Sequence, residues 1–462
     1  MKTFCKLTFI ADTHHYSKTL GTTGEAYEYR SGSDQKCLAE TGDIIDAAFE
    51  QILTFDTDAV IIAGDVSNDG ERVSHEEFRE KLNALDEKLP VYLITATHDW
   101  CCDGNPRAYE GKNVIHDVPT VPHEELREFY YRFATGKSIA EYVTHLGVVS
   151  YVAQLCDGVR LLALNDDQNG KGRAGFTEEH FQWVEEQIKK AKEDGQILIG
   201  MEHHLIIAHT HPFITGGGTC VGDREIHASR LADAGLKYMF VGHSHFQAIS
   251  SFTSEKGNTI YQVNIGALTG YPAPMVNVTV TDEGLDIDTV LLERFNYNGQ
   301  EQTLEYLKQH AYNVLDRPLT AAATGKEEFL AMMNALGVHS DAIGKAYFAI
   351  KPLAKLALNG TVWDAYKKVN RLTFGRVLEK EDALELKDKK IIDIIHEVWL
   401  NILDGCRMRV PEDSAYFRLV TGIVGLPHRL LKNVKIFREL EEVIVALLKG
   451  GEFDSYKTFL KA

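Results

Sequence analysis

Five short apolar runs in this chain each end in acidic or histidine residues, and that recurrence restricts the fold more than any other feature. Leu7–Ala11 is followed by Asp12-Thr13-His14, and Ala59–Ile62 by Ala63-Gly64-Asp65-Val66-Ser67-Asn68-Asp69-Gly70. Val91–Thr95 leads to Ala96-Thr97-His98-Asp99, Ile197–Met201 to His203-His204, and Tyr238–Val241 to Gly242-His243-Ser244-His245. Such short apolar runs read as buried parallel strands. In open α/β sheets, sites are built beyond the carboxyl ends of the strands. An α/β chain with its polar clusters at strand ends is therefore expected.

The clusters combine carboxylates with imidazoles, the donor set that suits Mn, Fe or Zn, whereas Mg prefers oxygen alone. A carboxylate placed where Asp65 leaves its strand can accept two cations, one on each oxygen. Two metals about 3.5 to 4 Å apart would polarise a phosphoryl group and activate a bridging water for in-line attack. In Asp12-Thr13-His14 and His243-Ser244-His245 the paired residues are two apart, so on an extended or turning segment they can point the same way. A single histidine after a strand is more often a hydrogen-bonded loop residue than a ligand; five clusters in strand context point to metal. His209-Thr210-His211 follows no strand as closely and reads as pocket-lining or structural. Cys101 and Cys102 could offer thiolates, but zinc-site cysteines are usually spaced rather than adjacent.

At 462 residues the chain exceeds one typical core, so at least two domains are expected. A polar insertion, 15–40, separates the first strand from a helix with Ile45, Ala48 and Ile52 on one face. Its Tyr27, Tyr29 and Arg30 could line a pocket or lie in a surface loop. Asp157-Gly158 joins two strands as a hairpin, and Thr177 can cap a helix with Phe181, Val184 and Ile188 on one face. From Thr259 the period becomes two, which reads as antiparallel strands. Beyond Tyr297 the spacing is helical. Leu304, Leu307, Ala311 and Val314 form one face, Ile391, Ile395, Val398 and Ile402 a second, and Leu430, Val434 and Phe437 a third. The expected division is one domain over 1–296 and an all-helical domain over 297–462. The helical part has no ligand spacing; it is expected to be separable from the site and to serve packing, interaction or oligomerisation.

A formal charge of −18 argues against general binding of nucleic-acid polymers or membrane surfaces, which need basic patches. It does not exclude a small anionic substrate held by metal ions. Lys6 interrupts the apolar start and Asp12 ends it too soon for a signal peptide, and no run reaches transmembrane length. Seven cysteines without framework spacing read as reduced thiols, so a cytoplasmic location is expected.

Asp12-Thr13-His14, Gly64-Asp65 with Asn68-Asp69-Gly70, His98-Asp99, His203-His204 and Gly242-His243-Ser244-His245, in that order, resemble the signature of the calcineurin-like metallophosphoesterases. The resemblance covers about Lys2–Phe295 and implies a four-layer α-β-β-α sandwich with a two-metal site at strand ends. It implies one metal on Asp12, His14, Asp65 and His245, and another on Asp65, His203 and His243. His98, paired to Asp99, would sit over the substrate, steadying the charged transition state or protonating the leaving oxygen. His204 and Asn68 would border the pocket. Gly64–Gly70, Glu202–Leu205 and the helical tail are similar to bacterial cyclic-nucleotide phosphodiesterases of the family. The implied substrate is a small phosphorylated molecule, a diester before a monoester.

One position departs from the family pattern. Where the family has Gly-Asn-His-Asp, this chain has Ala96-Thr97-His98-Asp99, so a shorter hydroxyl replaces the amide that usually ligates the second metal. Thr97 would be a weak ligand, and the second metal is expected to bind less tightly. The alternatives to a diesterase are a phosphomonoesterase, or a weakened or inactive member that acts as a metal-dependent ligand-binding protein. Exonuclease action would need basic grooves that the acidic chain does not advertise.

Overall fold

Alternation along the strands decides the layers. In Thr3–Ile10, Leu7 and Phe9 enter one core and Ile10 another. In Ala59–Ala63, Ile61 enters the first core, Val60 and Ile62 the second. A strand buried on both faces has to lie between two layers. The computed structural model, which describes residues 1–167, 169–171, 173–209, 220–335, 341–373, 378–425, 428 and 435–462, has that arrangement.

The first sheet runs in the order Lys457–Lys461, Gly284–Leu291, Pro274–Thr281, Thr3–Ile10, Ala59–Ala63, Val91–Ile94. Its last three strands are parallel, with Leu7 opposite Ala59 and Val60 opposite Val91. The second sheet runs Ala248–Thr253, Thr259–Asn264, Tyr238–Val241, Ile197–Met201, Val159–Ala163, Val149–Cys156, Ser138–Val143. It is parallel in the centre and antiparallel at both ends. The sheets meet through Phe9 and Phe240, whose rings stack 3.8 Å apart, together with Ile61, Ile199 and Val263. Each such buried side chain contributes about 1.5–3 kcal/mol. Helices Thr41–Ile52 and Arg72–Asp86 cover the first sheet. Helices Glu178–Glu193 and Arg224–Ala234 cover the second. The result is the expected four-layer sandwich.

Some details differ from the sequence reading. Thr259–Asn264 is antiparallel only to Ala248–Thr253; toward Tyr238–Val241 it is parallel, because it belongs to the second sheet. The insertion is folded. Glu25–Ser31 is a helix, and Tyr16, Tyr27, Leu38, Ala39 and Tyr109 form a small core. Tyr27 is therefore a packing residue. Tyr29 lies exposed under the Arg317 guanidinium, and Arg30 pairs with Asp34 at 2.8 Å.

The helical C-terminal region is present, with Leu304–Thr324, Ile391–Leu403 and Lys435–Lys449 among its helices. It begins and ends in strand. Arg294–Tyr297 pairs with Gln300–Thr303 across the expected 296/297 boundary, and Lys457–Lys461 returns to the edge of the first sheet against Gly284–Leu291. Leu430 and Val434, like Gly337, lie outside the described residues, and so does the side chain of Phe437. Among the described residues no helix is long and apolar enough to cross a membrane. All seven cysteines are free.

Candidate metal centre

Each strand delivers its cluster to the same edge, and two glycines let the ends converge. Gly64 turns with φ of 86°, and a Cβ there would lie 2.7 Å from His203 Nδ1. A Cβ on Gly242 would lie 2.5 Å from Asp12 Oδ2. Asp12, His14, Asp65, His243 and His245 all have φ between 40° and 66°. That left-handed backbone costs about 1–3 kcal/mol at each non-glycine residue and gathers where function requires it. Hydrogen bonds hold it in place. The Asp12 N–H donates to the Gly64 carbonyl (3.2 Å), the His14 N–H to the Asp65 carbonyl (2.9 Å) and the His243 N–H to the Asp12 carboxylate (3.0 Å).

Donor atoms of Asp12, His14 and His245 lie within 4.8 Å of one another, as do those of Asp65, His203 and His243. His14 Nε2 is 3.0 Å from His245 Nε2 and 3.9 Å from Asp65 Oδ2. Asp65 Oδ2 is also 2.9 Å from His203 Nε2, so this carboxylate stands between the two groups. His203 Nδ1 donates to the Ala63 carbonyl at 2.8 Å, and its Nε2–H is turned to the Asp65 carboxylate. A cation held by both would take the place of that proton.

Electrostatics make the same demand. Burial pushes the Asp12 carboxyl up to about 7. It also lowers the imidazoles of His14, His243 and His245, the last to about 3, so they present neutral donor nitrogens. Burial would raise Asp65 too, but His203 and His98 hold it well below the carboxylate range. Against burial, Asp65 and Asp12 in turn raise His203 well above the usual imidazole range. The buried carboxylates thus draw positive charge onto the ring between them, and a buried charge without such a partner is costly. The residues present fit two divalent cations.

His98 is placed differently. Its side chain is 36 % exposed, whereas those of Asp12, His14 and His203 are fully covered. Its main-chain N–H donates to Asp65 Oδ1 at 2.9 Å, and its Nδ1 donates to the Asn68 carbonyl. Burial would lower this imidazole, but Asp65 and Asp69 outweigh it and raise the pKa. His98 also comes within 4.8 Å of His14 and Asp65, near enough to be a donor itself.

The expected pairing of His98 with Asp99 is not made. The turn closed by Asp99 N–H on the Ala96 carbonyl (2.9 Å) directs the Asp99 side chain back into the protein. There its carboxylate accepts from the N–H groups of Ser67 and Ala96, both at 2.8 Å. Asp99 thus fastens the loop after Asp65 to the loop before His98. Asp69, 3.7 Å from His98 Nδ1, stands where Asp99 was expected.

Asn68 gives its carbonyl to His98, while its amide donates to Asp69 at 3.0 Å. Thr97 and His204 line a cavity of about 810 Å³ together with Trp100, Arg173 and Arg224. The His204 ring lies 4.2 Å from that of His243, so the cavity adjoins the group formed by Asp65, His203 and His243. Asp166 holds His204, accepting from its N–H at 2.8 Å and meeting its Nδ1 at 3.1 Å. Asp166 escaped the sequence reading, although Asn165-Asp166-Asp167 also follows an apolar strand, Val159–Ala163. His209 lines a separate cavity of about 230 Å³; Thr210 and His211 lie outside the described residues.

The family model described as calcineurin-like phosphoesterase matches residues 5–247. Among solved structures the chain is similar to a dimetal phosphatase from Danio rerio, with 12% identity and a TM-score of 0.46 over 66% of this chain and 99% of that one. It is similar to purple acid phosphatase PPD1 from seeds of yellow lupin, Lupinus luteus, with 14% identity and a TM-score of 0.37 over 66% and 53% of the two chains. It is also similar to the NAD nucleotidase of Haemophilus influenzae, with 13% identity and a TM-score of 0.31 over 78% and 61%. No curated protein matches.

Proposed function

The chain belongs to the calcineurin-like phosphoesterase family of metal-dependent phosphoester hydrolases, and we propose that it is a phosphodiesterase whose substrate carries a planar organic group, as a nucleotide diester does. The observation that carries this reading is the cavity of about 810 Å³ beside Thr97 and His204. A phosphate group alone fills a small part of it. Trp100 gives the wall an aromatic surface for a planar group, and Arg173 and Arg224 line it beside Asp167, Asp223 and Glu225. The likeness of Gly64–Gly70 and Glu202–Leu205 to cyclic-nucleotide phosphodiesterases supports the same substrate class.

Asp12, His14 and His245 would hold one cation, His203 and His243 a second, with Asp65 shared. Such ions, when bound, supply Lewis acidity toward the phosphoryl group and an activated water at neutral pH. The chain itself positions the substrate and moves a proton. His98 Nδ1 is committed to the Asn68 carbonyl, which leaves Nε2 for the substrate. Asp65 and Asp69 favour the protonated ring, as a general acid needs. Hydrolysis breaks one P–O bond; the hydroxyl of water goes to phosphorus and its other proton to solvent. His98 Nε2 gives its proton to the departing oxygen and regains one from solvent afterwards. Asp99 keeps the 96–99 turn, and so His98, in reach.

A second reading, ligand binding without turnover, has one observation in its favour. Thr97 puts a hydroxyl, engaged with the Cys102 thiol, where the family pattern has an amide. Turnover of bis(4-nitrophenyl) phosphate with added Mn, set against 4-nitrophenyl phosphate, separates the readings. The diesterase reading requires diester turnover that chelation abolishes and that exceeds monoester turnover. A monoester preference, or bound metal without turnover, overturns it.

A further inference from the structure

Lys36 is 3% exposed, yet it lies in an insertion rich in polar residues. Among the described residues its Nζ has one ionic neighbour, Asp34 Oδ2 at 3.7 Å. That oxygen is already engaged by Arg30 at 2.8 Å. A buried ammonium with so little compensation is costly to keep. The chain fixes its position on both sides. Gln35 donates to the His245 carbonyl at 3.5 Å. The Cys37 N–H donates to the Thr269 carbonyl at 2.8 Å, and the Thr269 hydroxyl to the Asp12 carbonyl at 3.4 Å. Residue 36 is thus held between a contact to His245 and a link to Asp12. Beside burial, its positive charge lowers the imidazoles of His14 and His245.

Two cations in the centre would repel a third positive charge unless an anion joined them. The nearby carboxylates are spoken for: Asp69 pairs with Arg107 at 2.7 Å, and Asp34 with Arg30. We propose that Lys36 is a further catalytic residue, whose ammonium binds a non-bridging phosphoryl oxygen of the substrate on the side of the centre formed by Asp12, His14 and His245. The inference rests on reading the centre as a phosphoester hydrolase. The helical region braces the segment that carries Lys36. From helix Leu304–Thr324, His310 donates to the Asp34 carbonyl at 2.8 Å, Arg317 to the Tyr29 carbonyl at 2.7 Å, and the Tyr306 hydroxyl to Glu40 at 2.5 Å.

The test uses full-length Lys36→Met and Lys36→Arg, loaded with Mn. Four quantities are measured: metal content, Tm, turnover of bis(4-nitrophenyl) phosphate, and calorimetric binding of inorganic phosphate. Lys36→Met is expected to lower kcat/KM about 100-fold, the scale of losing one preorganised donor to a transition-state oxygen. Phosphate binding should weaken about tenfold, as for one charge-assisted hydrogen bond. Metal content should hold, and Tm should hold or rise because an under-compensated buried charge is gone. Lys36→Arg should recover part of the loss. Unchanged turnover and phosphate binding overturn the proposal; a lower Tm with lost metal overturns it too, since that marks a structural ion pair. If the wild-type protein turns over no phosphoester, the hydrolase reading fails and the phosphate titration alone decides: weaker binding by Lys36→Met supports Lys36 as the anion ligand, and equal binding refutes it.

Discussion

The group of Asp12, His14 and His245 meets the insertion through the His245 carbonyl, whereas that of Asp65, His203 and His243 adjoins the large cavity through His204. Both groups are built alike, from strand-end residues on strained backbone around one shared carboxylate. Their surroundings differ. On the insertion side the chain closes over the group, with Gln35 on the His245 carbonyl and a buried lysine at hand. On the cavity side it leaves room, and it supplies three donors and a threonine hydroxyl. A phosphate ester has two corresponding ends, a charged phosphoryl group and an organic substituent. On the proposed reading the asymmetry would give the substrate an orientation, and the cavity side is expected to be the weaker cation site.

The largest expected effect comes from the residue the two sides share. Asp65→Asn should release metal from both and abolish hydrolysis while circular dichroism stays native; near-normal turnover with full metal would remove the bridging role. His98→Ala comes next, with kcat lower by about 100-fold, the usual scale for a general acid, and metal content unchanged. Loss of a metal instead would make His98 a donor, and the two sides would have to be redrawn. Asp99→Asn acts on the frame that joins them. It turns an amide toward two N–H donors that a carboxylate now satisfies, at a cost of about 1–3 kcal/mol. A lower Tm is expected with Asp99→Asn but not with His98→Ala. Equal Tm values would return Asp99 to the catalytic role that its position beside His98 suggests.

The cluster of candidate donors was legible because parallel strands buried on both faces leave polar residues only at their ends. The same rule would have found Asp166, had Val159–Ala163 been read through to Asn165-Asp166-Asp167. Asp99 was misplaced for a local reason. Residues adjacent in sequence point apart in a tight turn, so proximity to His98 says nothing of contact. Lys36 was invisible because a lysine in a polar stretch reads as solvated, and its burial depends on Thr269 and helix Leu304–Thr324, far off in the chain. The core of the insertion depends on Tyr109 in the same way. Lys457–Lys461 contains two apolar residues in five, and only its partner Gly284–Leu291 makes it a strand. That pairing and the contacts of His310 and Arg317 set the helical region against the expectation that it is separable from the site.

The central claim is a pair of unequal cation sites that share Asp65, and calorimetric titration of metal-free protein with Mn tests it most directly. Two classes of site are expected, the tighter on Asp12, His14 and His245 and the weaker on His203 and His243. Thr97→Asn should bring the weaker class closer to the tighter one, because an amide can reach where the hydroxyl does not. A single bound ion, or two equally tight ions that Thr97→Asn leaves unchanged, would contradict the account.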